Sequence, residues 1–466
     1  MKTASRSFSG TLARAASLLL LAIALSSCST VKGWFGGNSE KAQAKKAAEP
    51  VELSDFTPTA HVSKVWSANV GEGEKHLGLG QAPAVADGRV YAAAAEGSVF
   101  ALDLQTGREL WRYKPEKRRK LSEAEEAKLL ASEEQLPDFE SDAGEQTEAD
   151  KQRTKQQLKA AKQERKLAKQ LAKRMAKEKL DWFFTGGPGA GDGLVAVGTL
   201  DGQVIALDAA TGAEKWRAKV SNEVIAAPAV GQGYVLVRSN DGTVTAFDAA
   251  SGERRWFSQR ELPSLTVRGN ASLTLGPGIV FSGNDDGTIS AMSLRDGRPL
   301  WEQPVGVPEG RTELERMADV DGAPVLDGTT IYATSYKKET LAIDGPSGRP
   351  LWVRDTGGAG GLGLSPGSVV VSDPGGVVWA LDRNSGGALW SNPNLARRSL
   401  TAPTVQGDYA VVGDYDGYVH WLRLDNGEFA ARERVGGDPV RAKPVLAGDL
   451  LLVQNTEGEV TAFRLQ

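Results

Sequence analysis

Residues 235–258 read VLVRSNDGTVTAFDAASGERRWFS. An alternating apolar run ends at Asp241-Gly242, a second run follows, and the stretch closes on Ala246, Asp248, the Ser251-Gly252 reversal and Trp256. An acid-Gly pair between apolar runs is a hairpin signal, because glycine takes φ > 0 where a side chain clashes. The stretch therefore predicts consecutive antiparallel strands joined by tight turns. It recurs in both directions along the chain. Turn glycines at Gly97, Gly202, Gly242, Gly287, Gly376 and Gly417 are each followed ten residues later by another glycine, and Lys338 replaces the first of the pair before Gly348. Four residues beyond the second glycine stand Trp111, Trp216, Trp256, Trp301, Trp352 and Trp390, and Ala431 breaks the run. An alanine six residues before the second glycine recurs likewise, with Trp421 in its place once.

A small and a large residue at fixed separation predict a knob that docks on a neighbour's backbone, so that adjacent units bury one another's faces. Seven units start near Ala82, Asp181, Ala227, Ser272, Ala323, Gly363 and Ala402; an eighth starts at Lys443 and stops at Gln466 after its third strand. The missing strand is present at the other end, where HVSKVWSANV (61–70) puts Trp66 in the knob position. Pairing it with the C-terminal strands closes a ring and removes two free sheet edges. The expectation is an all-β chain: an eight-bladed β-propeller closed by an N-terminal strand, with one charged insertion. An open solenoid or a seven-bladed ring leaves Trp66 unused.

The composition agrees. Fifty-four glycines in 466 residues suit a turn-dense fold, and a single cysteine excludes a disulfide framework within the chain. His61, His76 and His420 lack metal-ligand spacing, and a net charge of −4 does not call for a polyanionic partner, so no nucleic acid is expected. Residues 1–27 carry Lys2, Arg6 and Arg14, no acid, and an apolar run over 15–25 too short for a bilayer span; they read as a signal peptide. Its removal takes the net charge from −4 to −7. Leu25-Ser26-Ser27-Cys28 resembles the bacterial lipobox, which implies lipidation at Cys28. Ser29, where an aspartate marks inner-membrane retention in enterobacterial lipoproteins, points to the outer membrane, facing the periplasm. Residues 28–60 read as a flexible tether and 61–466 as the propeller.

Between 115 and 180 the repeat stops. Residues 121–150 hold one basic and eleven acidic side chains, and 151–180 hold twelve basic and two acidic. The pattern predicts a helical or disordered excursion, either a solvated one or a basic arm for anionic lipid or a partner. Aspartates 103, 208, 248, 344 and 382 recur once per unit, which reads as turn architecture. No phosphate loop, metal motif or nucleophile elbow appears, so neither an enzyme, a cofactor nor a metal is expected.

The Ala-x-Asp-x-x-Thr/Ser-Gly-x-x-x-Trp repeat is similar to that of pyrroloquinoline-quinone dehydrogenases, which are eight-bladed quinoproteins. That supplies the enzyme alternative; a periplasmic ligand-binding propeller using its channel is a third. The mature chain outside the insertion resembles more closely the BamB family, the propeller lipoproteins of the β-barrel assembly machinery (BAM complex). Residues 265–269 (LTVRG) look like that family's Leu-Ser-Leu-Arg-Gly loop, and 312–324 (TELERMADVDGAP) like its Asp-Val-Asp loop. In the family these loops face the POTRA domains of the barrel-forming subunit BamA. The resemblance therefore implies a non-catalytic scaffold that helps nascent outer-membrane proteins reach insertion, with Leu265, Val267, Arg268, Asp319 and Asp321 at the partner contact. Read as residue types alone, Leu265 and Val267 equally fill a blade edge, with Arg268 paired to Asp319 or Asp321.

Overall fold

A computed structural model describes residues 49–73, 80–115, 183–263, 271–306, 319–336, 339–358 and 360–466. The signal peptide, Cys28, tether residues 29–48, insertion residues 116–180 and the loop holding Leu265, Val267 and Arg268 lie outside the described residues. The chain divides into two units, 1–52 and 53–466, and the second contains the fold.

Its strands form eight four-stranded antiparallel sheets. Seven are simple meanders, spanning 84–113, 184–219, 229–258, 274–304, 325–354, 362–392 and 404–434, here blades 1 to 7. Blade 8 takes three strands from 445–465 and its outermost from Val62–Asn69, which pairs along Glu459–Leu465. The predicted closure by the N-terminal strand is thus observed.

The repeat's small and large residues prove to be direct cross-strand partners: Ala246 opposes Trp256, Ala101 opposes Trp111, and Ala462 opposes Trp66. One extra residue bulges the outer strand beside each of these pairs. A small residue opposite the indole leaves it room to lean sideways into the next blade. There Trp216 donates its Nε1–H to the Ala249 carbonyl at 2.8 Å and lies on Gly252, where an added Cβ would sit 2.6 Å from the ring. Gly252 also has φ +71°, so this position is glycine both for its turn and for the indole. Trp66, Trp111, Trp256, Trp301, Trp352 and Trp390 each repeat that hydrogen bond to the following blade, at 2.7–3.1 Å. Each junction thereby buries an aromatic surface and satisfies its one polar atom.

The recurring aspartates do turn work. Asp248 Oδ1 accepts from the Ser251 amide and hydroxyl, and Asp103 does the same with Thr106. Asp208 accepts likewise from the Thr211 hydroxyl and amide, and these bonds, with Lys215, lower its carboxyl to about 2.

The propeller unit begins before the predicted boundary at residue 61, at Leu53. Thr59 and Ala60 donate amides to the Ala430 carbonyl, Phe56 stacks on Phe429 at 5.5 Å, and Arg432 donates to the Ser54 carbonyl. Residues 53–60 therefore pack on blade 7 although they lack periodicity, because their two-residue contacts carry no repeat for a sequence to display.

Candidate functional site: the connector face

In each meander the first-to-second and third-to-fourth turns emerge at one end. The second-to-third turns and the connections to the next blade emerge at the other, the connector face. The insertion joins blade 1 to blade 2, residues 259–273 join blade 3 to blade 4, and 305–324 join blade 4 to blade 5. All three of the segments singled out in the sequence are therefore anchored at the same face, two of them at consecutive junctions.

The described part of the last segment is the Asp319-Val320-Asp321 strap. Val320 pins it: the side chain is buried with Ile289, Val305 and Ile331, and its amide donates to the Asn284 carbonyl at 3.1 Å. Gly283 of blade 4 provides the space, since a Cβ there would meet the Val320 carbonyl at 2.5 Å. Asp319 is fully buried, and its carbonyl accepts from the Tyr336 amide at 2.8 Å. Both Asp321 carboxylate oxygens are shut off from solvent and have no hydrogen-bond partner among the described residues. Burial pushes this carboxyl well above its ordinary range; Asp319 and Asp285 add to the effect and Arg238 opposes it.

Arg238 and Asp285 carry part of this arrangement and were not singled out in the sequence. Arg238 ends the second strand of blade 3, is only 4% exposed, and donates to the Gly283 carbonyl at 2.7 Å and Asp285 Oδ1 at 2.9 Å. The Arg238 guanidinium thus pairs with Asp285 and acts on Asp321 through space. A signal did exist: the position aligned with Arg238 is Gly283, Ser372 or Gly413 in other blades, so a charged side chain there departs from its column. The described residues bring Asp319 and Asp321 together, but they place Asp319 inside the fold and not on its surface. Its effect on a partner can only pass through the strap it holds or through its charge.

The same face opens on the axis of the propeller, where Asp321 and Lys443 line a cavity of about 530 Å³. No cluster of His, Cys, Asp and Glu suited to a metal occurs among the described residues.

Residues 152–392 and 364–466 match the family profile described as outer membrane protein assembly factor BamB. Residues 56–135 match one described as glucose/ethanol/alcohol dehydrogenase, beta-propeller domain. The chain is 56% identical over 452 residues to the outer membrane protein assembly factor BamB of Xanthomonas campestris pv. campestris, covering 97% of each. It is 31% identical over 442 residues to the Escherichia coli protein of the same description, covering 95% of this chain and 96% of the relative. The crystal structure of BamB from Moraxella catarrhalis aligns with a TM-score of 0.67 at 25% identity, over 87% of this chain and all of that one. A quinohemoprotein alcohol dehydrogenase from Comamonas testosteroni aligns at 16% identity and a TM-score of 0.59, over 89% of this chain and 78% of that one, a likeness of fold alone.

Proposed function

Because the chain belongs to the BamB family of outer membrane protein assembly factors, we propose that it is the non-catalytic scaffold of the BAM complex, docking periplasmic POTRA domains of BamA on its connector face. The family works in outer-membrane protein assembly and is not a family of enzymes. The observation that carries the finer reading is the pinned Asp319-Val320-Asp321 strap at the junction adjoining the one that holds Leu265, Val267 and Arg268. Two apolar side chains beside an arginine, next to a strap with excess negative charge, make a small anchor with a charged rim. Lipidation at Cys28 tethers the body to the outer membrane on its periplasmic side, within reach of nascent barrel proteins and away from nucleic acid.

The test is a mild-detergent pull-down of the tagged, lipidated protein from its own membranes, with mass spectrometry and a quinone assay on the eluate. The barrel-forming subunit is expected, without quinone. Arg268→Glu with Asp321→Asn is expected to weaken that recovery without lowering the temperature of thermal unfolding. Quinone with calcium and no such subunit would overturn the reading, and loss of folding in the variant would make the loops structural.

A further inference from the structure

Docking on the connector face leaves the cavity at its centre without a role. The residue two places before the innermost strand's standard register position lines this cavity in every blade. Seven blades place alanine, glycine or serine there, including Ala82, Ala227, Ser272, Ala323 and Ala402, and blade 8 places Lys443. Small residues hold the space open, and one long cation departs from its column to enter it. Lys443 Nζ crosses to blade 6 and donates to the Leu362 carbonyl at 2.7 Å. An ammonium has three donors, and the described residues provide this one acceptor and no carboxylate. Burial lowers the amine to about 8, which leaves it mostly protonated at neutral pH.

The cavity's other charged-type residues do not offset this cation. Asp321 contributes to the wall from blade 5, but both its carboxylate oxygens are closed to solvent, and burial with Asp319 and Asp285 drives the carboxyl toward its neutral form. It therefore presents no open negative charge. Lys443 by contrast is partly exposed, and Arg441, exposed at the mouth, has the same sign. The accessible charge of the cavity is thus positive. Much of the remaining wall is apolar, with Ala84, Pro188, Val325 and Leu400 among its residues. One ammonium between apolar walls suits one negative charge on an apolar body. A compact dianion would set its second charge against walls that cannot solvate it, while Arg441 stays in water.

We propose that the cavity binds a small organic monocarboxylate, its carboxylate on the Lys443 ammonium and its apolar part against the alanine, proline, valine and leucine walls. The space, about 530 Å³, falls within the range of small-molecule sites, which are mostly apolar with a few polar groups that orient the ligand. This inference goes beyond the scaffold reading and does not rest on it.

The experiment is calorimetric titration and thermal unfolding of the mature protein with sodium butanoate and sodium benzoate. Butanamide and benzamide, which keep the shape and lack the charge, serve as controls, with inorganic sulfate as the dianion. At least one carboxylate should bind saturably and raise Tm, at least tenfold more tightly than its amide and than sulfate. Lys443→Met should weaken binding at least tenfold while the barrel-forming subunit is still recovered in the pull-down. Affinity should also fall about tenfold between pH 7 and pH 9 as Lys443 loses its proton. The other charged groups on the wall do not mask this, since Arg441 stays charged and the Asp321 carboxylate is closed off. Absence of saturable binding by both carboxylates overturns the proposal. An amide or sulfate binding within tenfold of the carboxylate, undiminished binding by Lys443→Met, or a flat pH profile does so too. If Lys443→Met does not fold, the amides and the pH profile decide the matter on the unaltered protein. Failure of the pull-down alone would count against the scaffold and not against this site.

Discussion

Between blades 2 and 3, Trp216 lies on Gly252 and bonds the Ala249 carbonyl; between blades 7 and 8 nothing of the kind exists, and Ala431 stands where the indole belongs. The contrast follows from where the ring is joined. Blade 8 has no turn between its third and fourth strands, because those strands come from opposite ends of the propeller: the Gln466 amide donates to the His61 carbonyl at 2.8 Å. Without the turn there is no glycine for a tryptophan to rest on. The pair is inverted instead. Trp421 takes the alanine position opposite Ala431, meets Phe463 edge-on at 5.5 Å and donates to Gln406 Oε1 at 2.9 Å. Ala60 and Val62 join this core, while Phe56 and Phe429 lie under Arg432 on the other face of blade 7, toward blade 6.

The opposite face of blade 7, turned toward blade 6, contains a buried polar network. Asp414 Oδ2 accepts from Arg398 Nε at 2.7 Å and His420 Nε2 at 3.0 Å, while Arg432 Nε donates to His420 Nδ1 at 3.2 Å. That last bond assigns His420 as neutral, with its proton on Nε2. Burial acts in the same sense, lowering the imidazole below its usual range. Seven junctions thus rest on one aromatic knob each, with the His420 network beside Trp390 at the junction of blades 6 and 7, and the eighth rests on an inverted knob.

The largest effect should come from a regular junction. Trp216→Ala should cost about 3–5 kcal/mol, read from denaturant unfolding; Gly252→Ala should destabilise in the same direction, since its Cβ would displace the ring. A loss below about 1 kcal/mol for Trp216→Ala would mean the knobs do not carry the junctions. The comparison sharpens with the double swap Trp421→Ala/Ala431→Trp, which restores the repeat's order. It should still lose about 3 kcal/mol, because no glycine turn receives the moved indole; a neutral swap would make the closing junction an ordinary one.

Acid should then find the junction between blades 6 and 7 first. A histidine whose folded pKa is depressed takes up its proton in the unfolded chain before the folded one, so stability is lost as pH falls through about 6.5. The slope is at most about 1.4 kcal/mol per pH unit. Unfolding at pH 7.5 and 5.5 should show this loss in the parent, reduced in His420→Gln, and an unchanged slope in that variant would remove His420 from the account. The smallest effect has the opposite sign. Asp321 has a raised carboxyl pKa, so its burial weakens the fold as pH rises above about 3.8. Asp321→Asn should therefore raise stability at pH 7 by roughly 1 kcal/mol, without the swings expected at the junctions. A destabilised variant would show that Asp321 supports the strap.

Much of this was legible because it repeats. Strands, turn glycines, knobs and the closing strand each occupy a column, and local φ preference with aromatic burial operates identically in every blade. Even the exception is visible as Trp421 and Ala431 exchanged, although its cause is not. What escaped does not repeat. Residues 53–60 contain no pattern, and the burial of Asp319 depends on Val320 finding space beside a glycine of another blade.

By itself, then, the sequence determined the blade, the number of blades and the end from which the last strand comes, because hairpin turns and cross-strand pairs are properties of neighbouring residues. Only the tertiary structure decided that Arg238, Asp285, Asp319 and Asp321 form one charged group, and that Lys443 and Asp321 line one cavity without pairing. Those residues come from different blades, and closing the ring is what brings their charges within range of one another in a medium that screens them poorly.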